Sequence, residues 1–598
     1  MLHKKILTLL NPRERRRGIM LMVMILIMAL LNTVGVASII PFMSVLGQPD
    51  AVHTNKYLNA LYTAFGFSDQ EDFLFFLGIL VFATLVASIL FKALTQYAVQ
   101  RFTQMRNFSL SCRLFRGYLN RPYTWFLNRH SSDLVLNMLS ELTQVINGVL
   151  IPIMQLFAHG LSALFLIILL LIVDPLLVMI AAVVMGGTYA LIYLVIRKYL
   201  SRIGKDRVLA NKQRFRVVRE ALGGIKELKT FQQESLFFQR FINPAKRYSN
   251  YMIYSNTASI MPRFVLEIVA FGGILAIALY LLKFNGSINQ ALPVLSVYAF
   301  AGYRLLPAMQ QIYTQATSLR FGLPALESIY ADIIELSENE QENDADNGKP
   351  LIPTSNIKLK NIYFTYPDAQ EPALKNITLT IPVNSTVGLV GPTGSGKTSI
   401  ADVILGLLFP RMGQLQVDGK PVTSGNVRAW QRSLGYVPQQ IFLSDDTVKA
   451  NIAFGIPENQ VNMDAVIHAA KIARLHDFVC GDLQNGYATL VGERGIRLSG
   501  GQIQRIGIAR ALYHDPEVLI FDEATSALDT QTEQLVMEAL GRLNKRKTII
   551  LIAHRLNTVR NCDCIFVIEN GELVGQGTYN ELRERNRYFQ SLTKQDSN

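Results

Sequence analysis

The sequence predicts two domains of different fold class, an α-helical transmembrane domain followed by a soluble α/β domain. The chain has 598 residues, several times the usual size of one domain. Half of its residues are hydrophobic, and the apolar excess lies in the first half. The second half contains "STVGLVGPTGSGKTSIADVIL", which has the pattern of a strand, a glycine-rich turn and a helix. We therefore place the transmembrane domain at residues 1–334 and the α/β domain at residues 353–598.

Six windows in the first domain carry almost no charge over about 20 residues or more, the length that crosses a bilayer as a helix. The first is too long for a signal peptide and others follow it, so we expect it to remain as an anchor. The polar stretches at about 99–144 and 199–255 have a helical pattern and are predicted to extend the spans into the cytoplasm. The windows are roughly residues 18–46, 73–98, 145–173, 175–196, 261–282 and 291–315.

Lysine and arginine are concentrated before the first span, after the second and after the fourth. Because basic loop residues stay on the cytoplasmic side, both termini are predicted to be cytoplasmic. The net charge of +13 follows from this topology and from contact with membrane lipid, so we expect no nucleic acid as a partner. The four cysteines lack the spacing of a zinc site and are predicted to be ordinary thiols in a reducing compartment.

A break in composition separates the two domains. The stretch "ELSENEQENDADNGKP" is acidic, has few apolar residues and ends in Gly and Pro. It predicts a linker at residues 335–352.

The stretch "GPTGSGKTS" fits the phosphate-binding pattern G-x-x-x-x-G-K-T between a strand and a helix. Its glycines let backbone N–H groups turn toward phosphate oxygens, Lys397 adds a positive charge, and the Thr398 hydroxyl suits Mg²⁺. The segment therefore predicts nucleotide binding. The candidate residues are Gly391, Pro392, Thr393, Gly394, Ser395, Gly396, Lys397, Thr398 and Ser399.

Two later segments, "LSGGQIQRIGIARAL" and "VLIFDEATSALD", resemble the signature and Walker B segments of ABC transporters. The resemblance covers essentially the whole chain, because six spans before one P-loop ABC ATPase domain is the layout of an exporter half-transporter. It implies ATP hydrolysis coupled to translocation, with ATP and Mg²⁺ as cofactors. It also implies a homodimer in which each ATP lies between one subunit's P-loop and the other's signature motif. The signature residues are Ser499, Gly500, Gly501 and Gln502.

The same resemblance assigns roles to single residues near the nucleotide. Asp522 resembles the carboxylate that holds Mg²⁺ through water, and Glu523 resembles the one that polarises the attacking water. Gln439 in "YVPQQ" is similar to the glutamine that touches metal and water. Tyr366 in "IYFTYPD" is similar to the aromatic that stacks on adenine, and His554 in "LIAHRL" to the histidine that contacts the γ-phosphate.

Glu493, just before the signature, resembles a segment found in exporters, which favours export over import. Two stretches, 120–133 and 221–237, are predicted to form short helices that contact the ATPase domain. The alternative for both is a solvated polar loop.

Ionisable residues within the apolar windows indicate what is moved, because such groups are costly in a membrane and usually functional. Lys92, Arg263 and Arg304 all fall toward the inner leaflet at a rise of about 1.5 Å per residue. One interpretation is that they extend to the cytoplasmic interface, and Glu267 is placed to neutralise Arg263 within its helix. The other is a cationic lining that captures an anionic lipid headgroup.

The stretches "MPRFVLE" and "YRLLPAMQQI" and the position of Lys92 resemble the PglK-type ABC flippases for lipid-linked oligosaccharides. This resemblance implies that a polyprenyl-pyrophosphate-linked oligosaccharide moves from the inner to the outer leaflet of a bacterial inner membrane for glycan or glycoprotein assembly. Lysine at position 92, where these flippases have arginine, lacks the bidentate fork. The outer stretch "NKYLNALYTAFGF" resembles their short external helix, and the alternative is a lid packed on the outer ends of the spans.

Two other function classes remain at this point. An ABC exporter of hydrophobic drugs, lipids or peptides shares the ATPase domain but favours an aromatic, less cationic cavity. An ATP-gated channel or regulatory protein tolerates a degenerate catalytic site, and the intact Glu523, His554 and "LSGGQ" argue against it.

Overall fold

The computed structural model describes most of residues 2–590 and divides the chain into two compact units. The first unit contains residues 1–120 and 129–339, and the second contains 121–128 and 340–598. The predicted linker falls largely outside the described residues. Only the backbone is described at 51, 173, 288–305 and 557, and the stretches not described are 48–50, 68, 174, 176–178, 180–182, 184–185, 269–270, 273–274, 276–287, 338–348, 368, 524–532, 537, 539–545, 554–555 and 591–598.

The described part of the first unit is helical. Its first long helix begins where Asn11 and Glu14 form a reciprocal capping box and Pro12 occupies the first helical position. The helices, with α7 belonging to the second unit, are α1 (Leu2–Leu9), α2 (Pro12–Ala37), α3 (Ile39–Gly47), α4 (Ala51–Thr54), α5 (Lys56–Ala64), α6 (Gln70–Leu119), α7 (Tyr123–Leu127), α8 (Ser131–Leu136), α9 (Leu142–Val145), α10 (Ile151–Val173), α11 (Gly187–Gly223), α12 (Ile225–Phe231), α13 (Glu234–Ile260) and α14 (Ile288–Ser337), with π-type turns at Asn137–Glu141 and Ile146–Leu150.

Three stretches of the described chain are helical, long and apolar enough to cross a membrane: Pro12–Gly47, Gln70–Leu119 and Ser131–Ile172. They contain the first two predicted windows and all but the last residue of the third. The other three windows include residues, or side chains, outside the described part of the chain. Several helices continue well beyond the length of a bilayer, since α6 alone has 50 residues, or about 75 Å of helix.

Buried polar contacts join these long helices to one another. Glu141 and Arg207 are 0% and 1% exposed, and the closest pair of their charged atoms lies 2.7 Å apart. The Asn211 side chain donates a second hydrogen bond to Glu141 at 2.8 Å. The Tyr118 hydroxyl donates to the Asp332 carboxylate at 2.6 Å, which links α6 to α14. Each group is costly to bury alone, so these contacts specify which helices lie side by side.

Short helices occur in both segments predicted to contain them, α7 within 120–133 and α12 within 221–237. The external stretch also forms a helix, α5, but its apolar residues do not share one environment. Leu58 is 5% exposed and packs with the partly buried Tyr62 against the C-terminal end of α3 and the N-terminal end of α6. Tyr57 is 81% exposed. One side of α5 is therefore packed as a lid, and the other faces outward.

The second unit is an α/β fold built from strands with different exposure. β3, β7 and β8 are buried at every position, as expected for central parallel strands covered on both faces. The elements are β1 (Asn356–Phe364), β2 (Leu374–Pro382), β3 (Thr386–Val390), α15 (Lys397–Ile404), β4 (Met412–Val417), β5 (Lys420–Pro421), α16 (Val427–Gln431), β6 (Leu434–Val437), α17 (Val448–Ile452), α18 (Met463–Ile472), α19 (His476–Gly481), α20 (Gly500–Leu512), β7 (Val518–Asp522), β8 (Thr548–Ile552), α21 (Leu556–Val559), β9 (Cys564–Glu569), β10 (Glu572–Gly577) and α22 (Tyr579–Arg585).

The described strands form a six-stranded sheet in the order β10-β9-β3-β8-β7-β6 and a four-stranded antiparallel sheet in the order β2-β1-β4-β5. In the larger sheet β9, β3, β8, β7 and β6 are parallel, and β10 pairs antiparallel at the edge. Alternate residues of β7 and β8 point into different hydrophobic clusters, so apolar layers cover both faces of the sheet. The carboxyl ends of the parallel strands meet at one edge, where loops carrying functional residues are expected.

Candidate functional site

The predicted phosphate-binding loop lies between the buried strand β3 and helix α15. Gly394 and Gly396 have φ angles of +80° and +104°, a region that residues with a Cβ atom rarely adopt. A Cβ atom on Gly391 would lie 2.0 Å from the carbonyl oxygen of Ile568. The loop therefore requires glycine at all three positions. Thr393 and Gly394 are exposed at its tip, and Thr398 is exposed in the first turn of α15.

Lys397 and Ser395 are buried polar side chains of this loop. Lys397 is 5% exposed, and its Nζ donates to the carbonyl oxygens of Gly391 and Pro392 at 2.8 Å each. Burial lowers the pKa of Lys397, and the carboxylates of Glu523 and Asp522 oppose that shift. The buried Ser395 hydroxyl has no hydrogen-bond partner within the described part of the chain. An ammonium and an unsatisfied hydroxyl beside turned backbone amides fit a bound phosphate group.

Asp522 and Glu523 lie at the same edge of the sheet, because β7 runs parallel to β8 and β8 to β3. Asp522 is 5% exposed, and burial together with adjacent Glu523 raises the pKa of Asp522 to about 6, against the effect of Lys397. Glu523 has a φ of +51°, and its N–H donates to the carbonyl oxygen of Ile552 at 3.0 Å.

Gln439 reaches this group from the loop after β6. Its Nε2 donates to the carboxylate of Glu523 at 2.7 Å. The fold thus brings together a lysine, two carboxylates and a glutamine that are separated by as many as 126 residues in the sequence. Within the described part of the chain, no group of three or more His, Cys, Asp or Glu side chains is placed to hold a metal ion. A cation held partly by hydroxyl, amide, water and phosphate oxygens fits this set of donors.

Asp402 also belongs to this site, although it was not among the candidates from the sequence. It lies on α15, one turn after Thr398. Burial and the charge of Asp522 raise the pKa of Asp402 to about 6, so the two carboxyl groups are close neighbours. Two neighbouring carboxyl groups favour a cation between or beside them. A carboxylate four residues after the loop threonine, on one helical face, is the signal that points to it.

Tyr366 is held beside the first turn of α15. Its hydroxyl lies 3.0 Å from Ser399 Oγ, and its ring packs edge-on against Phe364 with centroids 5.0 Å apart. Tyr123 of α7 lies in the same neighbourhood, because burial, followed by Asp402 and Tyr366, raises the pKa of Tyr123. The 121–128 segment, which belongs to the second unit, therefore lies beside the predicted nucleotide site.

The signature residues begin helix α20, away from the phosphate loop. Ser499 and Gln502 form a reciprocal capping box, with N–H to oxygen distances of 2.8 and 3.3 Å. Gly500 and Gly501 supply first-turn N–H groups, which an α-helix leaves available for anions. Helix α20 packs on β6, α17 and α18. β6 lies three strand positions from β3 in the sheet, or about 14 Å.

The predicted substrate residues have different surroundings. Lys92 is exposed on α6, within a helix that is long and apolar enough to span a membrane. Arg263 is paired with Glu267 four residues later, at 2.7 Å. The side chain of Arg304 lies outside the described residues, as does the whole of His554. Glu493 is exposed and begins a 3₁₀ turn just before the signature.

Comparison with known proteins places these features in a family. Residues 18–302 match the family described as ABC transporter transmembrane region, and residues 374–526 match the family described as ABC transporter. The chain is 32% identical over 487 residues to the ATP-dependent lipid A-core flippase of Saccharophagus degradans, covering 81% of this chain and 80% of that protein. It is 31% identical over 488 residues to the protein of the same name from Escherichia coli K12, covering 81% and 82%.

The fold agrees with these matches. The chain superposes on a bacterial Atm1-family ABC exporter with ATP bound, with a TM-score of 0.78 over 98% of this chain and 99% of that chain. The sequences are 23% identical, so this likeness concerns the fold alone. The predicted fold class, a helical transmembrane domain with an ABC ATPase domain, is confirmed. The chain therefore belongs to the ABC transporter family, as an ATP-hydrolysing transmembrane transporter with the fold of an ABC exporter.

Proposed function

We propose that this transporter is a flippase that moves a polyprenyl-pyrophosphate-linked oligosaccharide from the inner to the outer leaflet, for glycan or glycoprotein assembly. The observation that carries the proposal is Lys92, an exposed ammonium group on an apolar membrane helix. A charge at such a position is costly and is usually retained for function. The relatives named lipid A-core flippases support a lipid as cargo.

The proposed ATP site combines the phosphate loop with the residues after β6 and β7. Backbone amides of residues 391–399 and the Lys397 ammonium bind the phosphates, and Tyr366 stacks on the adenine. The hydroxyl of Thr398, the amide oxygen of Gln439 and, through water, the carboxylate of Asp522 would hold Mg²⁺. A bound Mg²⁺ ion neutralises charge on the phosphates as it develops.

Glu523 is the proposed general base for hydrolysis. Its carboxylate accepts the proton of the water that attacks the γ-phosphorus, while the bond to the bridging oxygen of ADP breaks. The hydrogen bond from Gln439 holds that carboxylate in position. His554 is proposed to donate to the γ-phosphate oxygens. These roles require that Glu523, Gln439 and His554 lie together with the phosphate loop at the edge of the sheet.

A homodimer is proposed because one chain carries a complete set of motifs. The signature helix α20 packs on β6, three strand positions from the strand before the phosphate loop, so the partner's signature residues would complete each site. An isologous pair of identical chains supplies two such sites without a second gene product.

The cargo is proposed to enter from the cytoplasmic side of a bacterial inner membrane, with both termini in the cytoplasm. Lys92, Arg263 and Arg304 would guide the anionic headgroup while the polyprenyl chain stays in lipid. The ion pair with Glu267 reduces the net charge that Arg263 offers. Lys92 and Arg304 are therefore expected to contribute more than Arg263.

Translocation in proteoliposomes tests the proposal directly. A fluorescent polyprenyl-pyrophosphate glycan is supplied on the side that carries the ATPase domains, and its ATP-dependent arrival at the opposite leaflet is measured. Arg304→Ala should reduce this transfer with little change in basal ATPase activity, and Arg304→Lys should recover part of it, since lysine keeps the charge without the fork. Lys246→Ala is the control, because it removes an exposed cation outside the apolar windows.

A second candidate, export of drugs, other lipids or peptides, draws support from the names of the relatives, which specify a different lipid. Lipid A-core supplied in the same assay distinguishes the two. If the parent transports lipid A-core but not the polyprenyl-linked glycan, the second candidate is correct. If Arg304→Ala, Lys92→Ala and Arg263→Ala all move the glycan at the parental rate, a cationic lining is not involved.

A further inference from the structure

Two membrane helices place polar side chains against each other in the inner half of the predicted bilayer. On α6, Lys92 and Gln96 are one turn apart and both are exposed. On α10, Gln155 and His159 are also one turn apart. The Gln155 amide donates to Gln96 Oε1 at 3.1 Å, which joins the two helices at this point. Lys92 precedes Gln96 by one turn and His159 follows Gln155 by one turn, so in the predicted antiparallel pair of spans both lie on the same side of that contact. The four side chains therefore form one cluster across the two helices.

The depth of this cluster follows from the helix rise. Lys92 lies 22 residues after the start of α6, or about 33 Å along its axis. His159 lies 14 residues before the end of α10, or about 21 Å from it. Since the hydrocarbon core is about 30 Å thick and both of those helix ends are predicted to lie outside, His159 falls in the inner half and Lys92 at its cytoplasmic boundary.

The charge of this cluster is not balanced by its own members. Lys92 is cationic, whereas the two glutamines are neutral and His159 adds no negative charge. Arg263 offers a contrast within the same chain, because Glu267 pairs with it at 2.7 Å. Gln155 is 8% exposed, so its amide is held between the helices while Gln96 and Lys92 remain open at the surface. A cation with exposed amides beside it matches an anion that also carries hydrogen-bonding oxygens.

We propose that Lys92, Gln96, Gln155 and His159 form the binding site for the phosphate-bearing headgroup of the lipid cargo. Lys92 meets the phosphate charge, the Gln96 amide and the His159 ring donate to phosphate or sugar oxygens, and Gln155 holds Gln96 in position. This inference rests on the proposed flippase function and identifies the residues that bind the headgroup. The recognised chemistry is a phosphate or pyrophosphate group with neighbouring hydroxyls on an apolar tail.

Equilibrium binding without ATP tests the site separately from transport. The full-length protein is placed in nanodiscs and titrated with fluorescent polyprenyl pyrophosphate, with the matching neutral polyprenol as a second probe and labelled lipid A as a third. Loss of a hydrogen bond to a charged group corresponds to about a tenfold weaker Kd. Lys92→Ala and His159→Ala should each show about this loss for the anionic lipid that is recognised, with no change for polyprenol.

Gln155→Glu is the most informative variant, because it is nearly isosteric and places a carboxylate beside the expected phosphate. It should weaken binding of the anionic lipid more than Gln155→Ala does, and leave polyprenol binding unchanged. A purely structural Gln96–Gln155 contact would instead affect both probes equally. Gln104→Ala is the matched control, since Gln104 is an exposed glutamine on α6, beyond the apolar window. It should bind all probes within about twofold of the parent.

The outcomes separate the site from the transport proposal. If the parent binds either anionic lipid through these residues but moves no polyprenyl-linked glycan, the site is correct and the proposed cargo is wrong. The relative affinities for polyprenyl pyrophosphate and lipid A then identify the headgroup. If the Lys92, Gln155 and His159 variants bind as Gln104→Ala does, or if the parent does not prefer the anionic probes to polyprenol, the site is wrong.

Discussion

Replacing Glu523 with glutamine separates ATP binding from hydrolysis. The Gln439 amide donates to the Glu523 carboxylate at 2.7 Å, and a glutamine at position 523 can turn its carbonyl oxygen toward the same donor. The backbone of residue 523 is fixed independently by its N–H bond to Ile552, at 3.0 Å. The substitution therefore keeps the shape of the site and removes one negative charge and one proton acceptor.

The sizes of the two effects differ. Exchanging a charge-assisted hydrogen bond for a neutral one costs about 1 kcal/mol, which limits the loss in the ground state. Removing a general base slows a reaction by about 100-fold to 10,000-fold, or about 3–5 kcal/mol in the barrier. We therefore expect Glu523→Gln to bind ATP within a few-fold of the parent and to hydrolyse it at least about 100-fold more slowly.

Phosphate release and retention of labelled ATP, measured on the same proteoliposomes, give the two quantities. Glu517→Gln is the matched control, because Glu517 immediately precedes β7 at the opposite end from Glu523 and pairs with Lys547 at 3.4 Å. It should hydrolyse ATP at the parental rate. Near-parental turnover in Glu523→Gln would refute the general-base role, and an equal loss in Glu517→Gln would mean that charge near β7 matters only for folding.

Two further predictions concern assembly and stability. Mixed dimers are made with Lys397→Ala on one chain and Ser499→Arg on the other. Head-to-tail sharing puts both defects in one site, so the other, intact site should retain one trapped ATP per dimer. A mixed dimer that traps no ATP would exclude this geometry. Glu141→Ala leaves Arg207 buried without its carboxylate and should destabilise the chain by about 3–5 kcal/mol, whereas Glu141→Leu with Arg207→Met should recover most of that loss. Thermal unfolding of the purified variants measures it, and a single variant as stable as the parent would show that the pair contributes nothing.

The loop between β3 and α15 could be predicted from the sequence because its signals are local. The spacing from Gly391 to Thr398 dictates a loop between a strand and a helix, and the structure has that arrangement. Asp402 carries no such motif beyond its place one turn after Thr398, and the packing of α15 beside β7 reveals its proximity to Asp522.

The cluster that Gln155 and His159 form with Lys92 and Gln96 could not be predicted from the sequence for the same reason. Gln155 and His159 are uncharged and lie in an apolar stretch, and their significance appears only when α10 packs beside Lys92. The apolar residues of α5 are a different case, because the sequence does not reveal which of them are buried. Within the described part of the chain, α5 packs through Leu58 and Tyr62, while Tyr57 stays exposed.

The ATPase unit is discontinuous in sequence, because residues 121–128 belong to it although the chain on either side belongs to the membrane unit. Tyr123 brings this segment next to Tyr366, Asp402 and Tyr436. A soluble fragment cut near residue 353 would therefore lack a piece of its own surface, beside Tyr366, the tyrosine proposed to stack on adenine. Exchange of ATPase modules between transporters of this design is then constrained by eight residues encoded far upstream. An ATPase module and its distant segment must therefore be exchanged together.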